Sequence, residues 1–183
     1  SRYHGILEDV HTSFLQSGSN AITTNSYGVV PGVGFKPQEI SKYIQESGKI
    51  ARSAVQKHKD RSITPAFVLG SVGPLIESYR ADMILSHDEG VKGYQLAHQS
   101  LAPYVDAFLA ETMSCVDESI QVLDAVASSA DTTNQPCLLI SYSVGSDSNF
   151  RDGEKLTDGM RRILEQAKSK TDKVRGKAFL CIN

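Results

Sequence analysis

Apolar residues along the chain fall by turns into helical spacing and short β-type runs. Ile6, Leu7, Val10, Phe14 and Leu15 predict a first helix, and Gly18 suits its C-cap, where a left-handed residue is wanted. A short strand is expected over 20–24. A glycine- and proline-rich loop then leads to a long helix opening near Pro37, striped by Ile40, Tyr43, Ile44, Ile50, Ala54 and Val55. Proline fits a first helical turn because its missing N–H would have been unpaired there. The next strand covers 66–69 and enters Gly70-Ser71-Val72-Gly73-Pro74. A third helix over about 91–101 precedes a strand over 105–110. Ser114 and Asp117 read as a capping pair for a helix carrying Val116, Ile120, Leu123 and Ala127. A strand over 137–141 and a polar loop lead to a last helix with Leu156, Met160, Ile163, Leu164 and Ala167. Gly176 and a strand over 178–182 complete the order.

The predicted order is αβαβαβαβαβ, expected as a single domain over 1–183. Short, continuously apolar strands between amphipathic helices indicate a parallel sheet. An open doubly wound sheet and a (β/α)8 barrel both produce that order, and the strand spacing does not choose between them. In either, ligands gather where strands end. The predicted strands end at Thr23-Thr24-Asn25, Gly70-Ser71, Glu111-Thr112, Ser141 and Asn183, and Glu111 is the only charged residue among them.

Composition narrows the class. A chain of 183 residues, 40% apolar and with a net charge of −2, can bury a core without staples and is too apolar for disorder. No run approaches the roughly 20 apolar residues of a membrane helix. The balanced charge gives no reason to expect nucleic acid or a membrane surface as partner. Three scattered cysteines and no signal peptide favour a reducing, cytoplasmic setting. The chain opens on Ser1 and closes within a strand-like run, so it is expected to be a piece of a longer protein.

Few residues announce chemistry by spacing. Gly28, Gly32 and Gly34 form no Gly-x-Gly-x-x-Gly turn, and the Gly70–Pro74 run reads equally as a tight βα turn or as a close backbone approach to a ligand. His87, Asp88 and Glu89 are adjacent and diverge. His11 and His98 lie near apolar stripes and read as packed or solvated, and the segment from Lys168 to Lys177 as a solvated helix end. Cys115, Cys137 and Cys181 show no zinc spacing. The residues by themselves stop at an α/β chain with a polar rim centred on Glu111.

Four stretches go further. Gly18-Ser19-Asn20-Ala21-Ile22-Thr23-Thr24-Asn25-Ser26-Tyr27, Gly70-Ser71-Val72-Gly73-Pro74, Val105-Asp106-Ala107-Phe108-Leu109-Ala110-Glu111-Thr112 and Phe179-Leu180-Cys181-Ile182-Asn183 resemble the homocysteine S-methyltransferase family in order and separation, and Glu118 fits as well. The resemblance implies a parallel (β/α)8 TIM barrel, incomplete here, with strands two to six. It implies zinc in the full-length protein, held by cysteines outside this chain. The first of them would follow Asn183, and Cys181 stands where the family has glycine, so Cys181 is not a ligand. The implied reaction moves a methyl group from a donor of the S-methylmethionine, betaine or methylfolate type to the thiol of homocysteine, forming methionine. Zinc would make that thiol a thiolate. Glu111 is expected to hold the homocysteine ammonium, with Asn25 lining the pocket and Asn183 beside the absent zinc ligand. This chain alone is expected to be inactive. A non-catalytic relative or fragment that binds small molecules or partners, and an unrelated barrel lyase with Glu111 as general base, stand as alternatives.

Overall fold

The computed structural model describes residues 2–59, 65–129, 137–170 and 180–182. Among the described residues five α-helices and five strands alternate: α1 (Arg2–Gln16), β1 (Ala21–Thr23), α2 (Pro37–Lys59), β2 (Phe67–Val72), α3 (His87–Leu101), β3 (Ala107–Met113), α4 (Val116–Ser128), β4 (Cys137–Tyr142), α5 (Leu156–Lys168) and β5 (Leu180–Ile182). All strand pairs are parallel and lie in the sheet in chain order, β1-β2-β3-β4-β5. Each helix packs against the next. A doubly wound sheet would reverse its strand order and send helices to both faces. Unbroken order with neighbouring helices side by side is the winding of a (β/α)8 barrel, here five strands of it.

Strand alternation sorts the residues accordingly. Val68, Gly70 and Val72 of β2, Phe108 and Ala110 of β3, and Leu138, Ile140 and Tyr142 of β4 are buried, whereas Phe67, Leu69, Leu109 and Leu139 on the other face are not. The larger core cluster joins β2, β3 and β4 to α2, α3, α4 and α5; a smaller one joins Leu15, Ile22, Ala51, Val55 and Val68.

Several expected boundaries shift. β2 runs through Gly70-Ser71-Val72, so that stretch is strand before it is turn. β3 begins two residues late and continues through Glu111 and Thr112. α3 begins at His87, so His87, Asp88 and Glu89 form a first helical turn rather than a loop. Residues 178–179 and Gly176 lie outside the described residues. Gly18 caps α1 as expected. Its φ is +101°, and the N–H groups of Gly18 and Ser19 bond back to the carbonyls of Leu15 and Phe14, a Schellman ending.

The stripe predicted for α1 is corrected. Ile6, Val10 and Phe14 are 55%, 46% and 59% exposed, while Leu15 and His11 are buried. The helix turns the Leu15 side toward β1 and α2, and the apolar edge along Val10 and Phe14 borders a cleft beside β1. The capping pair at α4 is also corrected. Asp117 pairs with Arg162, and the N-cap is Cys115, with no side-chain bond. Tyr43 of α2 and Leu164 of α5 are exposed despite their apolar spacing.

His98 is buried in the last turn of α3, where its ring stacks on Phe108 with centroids 4.3 Å apart. Burial pushes its pKa down to about 4. Above pH 6.5 folded and unfolded chains both hold a neutral imidazole. Between 6.5 and 4 only the unfolded chain takes up the proton, so stability falls as pH falls, by on the order of 3 kcal/mol at about 1.36 kcal/mol per unit. Urea unfolding of wild type and His98→Gln at pH 7 and pH 4.5 checks this. The wild type should lose more stability on acidification than the variant, and equal losses would exclude His98 as the source.

Candidate functional site at the strand ends

Glu111 sits near the end of β3, on the face of Ala107 and Leu109, and a break in register follows it. Ala110 pairs with Ile140, yet Met113 pairs with Tyr142, so β3 holds one residue more than β4 across that interval. Thr112 takes up the excess with φ +64°, a left-handed conformation that a β-branched residue resists. Glu111 and Met113 would otherwise share a face. With the bulge, Met113 is buried in the helix-side core while Glu111 is half-buried beside the open face.

The neighbouring strand ends meet Glu111 with hydroxyl groups. The Ser71 hydroxyl donates to Glu111 Oε1 at 2.5 Å. The Ser71 N–H donates to Thr24 Oγ1 at 2.9 Å, and the Ser26 hydroxyl donates to the Ser71 carbonyl at 2.6 Å. The Thr24 and Ser26 hydroxyls lie 2.7 Å apart, and the Thr24 N–H bonds the Leu69 carbonyl. Thr24, Ser26 and Ser71 are all buried, so the chain of bonds from β1 through β2 to Glu111 is shielded from water. No cation pairs with Glu111 among the described residues.

A cleft of about 410 Å³ opens over these groups, lined by Asn25, Tyr27, Ser71 and Glu111 at the strand ends and by Val10, His11 and Phe14 of α1. The structure therefore brings together Glu111 and Asn25, two of the three residues expected at the site. Asn183 lies outside the described residues. A larger groove, about 620 Å³, runs between α3 and α4 past Lys170, where His87 and Lys170 pair with Asp124. It is on the helical side, away from the strand ends, and shares no residue with Glu111.

Spacing did not single out Ser26, Tyr27 or His11. The run of polar residues from Thr23 to Tyr27 directly after a strand was the available signal for the first two. His11 had none, because its place in the cleft depends on which face α1 turns inward. Among the described residues no group of His, Cys, Asp and Glu side chains gathers as a metal site. Burial pushes the Cys115 thiol up to about 11 and raises that of Cys137, so neither is disposed to be a thiolate.

A sequence profile of the homocysteine S-methyltransferase family matches residues 2–179. Among solved structures, the metallated form of the homocysteine methyltransferase MmuM from Escherichia coli is similar, with a TM-score of 0.78 and 19% identity over 96% of this chain. The oxidised form gives 0.79 and 19% over 98%. The chain spans 62% of the length of each. At that identity the two structures speak for the fold, and they match it as part of a barrel.

The hydroxyl network makes a direct prediction. Thr24→Val keeps shape but leaves the Ser71 N–H buried without its acceptor, at about 1–3 kcal/mol. Denaturant unfolding should show that loss. A change near zero would mean that the network is not needed to join β1 to β2.

Proposed function

This chain belongs to the homocysteine S-methyltransferase family, and from that premise we propose that the whole protein moves a methyl group from a small donor to the thiol of homocysteine. The donor is of the S-methylmethionine, betaine or methylfolate type. The observation that carries the reading is Glu111, a carboxylate held by one neutral donor, Ser71, at the strand-end rim of a barrel sheet and without a cationic partner among the described residues. Such a group suits an ammonium ion.

In this reading Glu111 binds the ammonium of homocysteine and Asn25 lines the same cleft. The Thr24–Ser26–Ser71 network fixes the Glu111 carboxylate before substrate arrives, so little ordering is needed on binding. The zinc expected for this family finds no ligand set among the described residues. When bound, it would supply a thiolate at neutral pH, and its donors would come from outside those residues. Asn183 is proposed beside them.

Two measurements test this. Glu111→Gln keeps shape but removes the charge, and a charge-assisted hydrogen bond is worth about 1.5–3 kcal/mol, so homocysteine affinity should fall roughly 10- to 150-fold. Calorimetric titration of the whole protein reads it, and an unchanged affinity removes Glu111 from the site. Separately, the purified chain 1–183 should hold no stoichiometric zinc. One tightly bound zinc per chain in metal analysis would place the ligands among its own residues.

A further inference from the structure

Glu118 is a charged side chain only 4% exposed, in the first turn of α4, and the proposed reaction makes no use of it. A buried carboxylate persists only where donors surround it. Those of Glu118 come from different elements. Its Oε1 accepts from the Tyr94 hydroxyl of α3 at 3.1 Å. Its Oε2 accepts from the Ser114 N–H, in the connection between β3 and α4, at 3.5 Å. The Leu75 backbone amide, after β2, also favours its ionised form.

Ser114 is two residues beyond Thr112, the left-handed residue of the β3 bulge. Threonine leaves that conformation unless its surroundings hold it there. Two groups hold the segment from the β4 side: the Ser143 N–H bonds the Met113 carbonyl, and the Arg151 N–H bonds the Ser114 carbonyl, both at 3.0 Å. The helix side is held by Glu118 on Ser114 and by the Tyr94 hydroxyl, 4.0 Å from Met113 Sδ. Thr112 directly follows Glu111, so the backbone of the bulge bounds and holds the end of β3 that carries Glu111.

We propose that Glu118 is a positioning residue for substrate binding. By gripping Ser114 and Tyr94 it keeps the bulge at Thr112 closed, and so keeps Glu111 aimed into the cleft. This rests on the reading of Glu111 as the ammonium contact. A purely structural Glu118 would cap α4 and affect stability while leaving the affinity of the folded protein alone.

Calorimetric titration of homocysteine into the whole protein separates the two. Glu118→Ala should bind on the order of 10-fold more weakly, the effect of a misplaced contact group. Glu118→Gln should recover most of that loss, since its carbonyl can accept from Ser114 and its amide can meet the Tyr94 oxygen. The double variant Glu111→Gln/Glu118→Ala should bind no more weakly than Glu111→Gln, because the two act through one contact. Wild-type affinity in folded Glu118→Ala, or fully additive losses in the double variant, overturns the proposal. Should Glu118→Ala not fold, Tyr94→Phe takes its place: weakened binding supports the proposal and wild-type binding overturns it. If Glu111→Gln itself binds normally, the reading of Glu111 fails, and the role of Glu118 with it.

Discussion

A strand offers its side chains to two faces in strict alternation, and β3 has to satisfy both. Its inner part places Phe108 and Ala110 in the core against the helices. Continued without interruption, the same alternation would put Met113 on the face of Glu111. The extra residue at Thr112 resolves the conflict by shifting the register against β4, at the cost of a strained backbone. Glu111 keeps the face that alternation gives it, beside the open side, while the chain beyond it returns to the core. The bonds from Ser71 on β2, from Ser143 and Arg151 on the β4 side and from Glu118 on the helix side converge on this segment.

The two carboxylates on either side of the bulge show how environment divides like residues. Glu118 is almost fully enclosed, and burial raises its pKa against the donors that stabilise its charge. Glu111 is half-buried in a cleft of polar residues, with a serine hydroxyl on one oxygen. The first is enclosed by contacts within the protein. The second faces a space large enough for a small molecule. A carboxylate meant for substrate belongs in the second kind of place.

Sheet order explains why the site is open on one side. Strands added in sequence with helices along one face curve toward closure, and five of them leave β1 and β5 as edges. Beside β1 the cleft extends from Glu111 down to Val10 and Phe14 of α1, so polar strand ends and an apolar helix edge line one continuous space. Phe67, 48% exposed on the inner face of β2, belongs to the same incomplete interior.

Much of this was written in the sequence. The alternation of helical and strand-like runs, the glycine cap at Gly18, the proline opening α2 and the lone charged strand end at Glu111 are local patterns, and local patterns follow from backbone sterics and side-chain spacing. Motif resemblance added the barrel, which strand spacing alone left level with a doubly wound sheet. Other features depended on partners distant in the chain. The face that α1 buries is set by β1 and α2, so its apolar stripe misled. Asp117 left the expected cap because Arg162 lies beside it in the fold. The bulge at Thr112 arises from pairing with β4, and the burial of Glu118 from Tyr94 on another helix. The sequence determined which elements form and which residue carries the charge at the rim. Tertiary structure decided what that charge meets, because its neighbours are set by strand pairing and by contacts between segments that the chain order does not bring together.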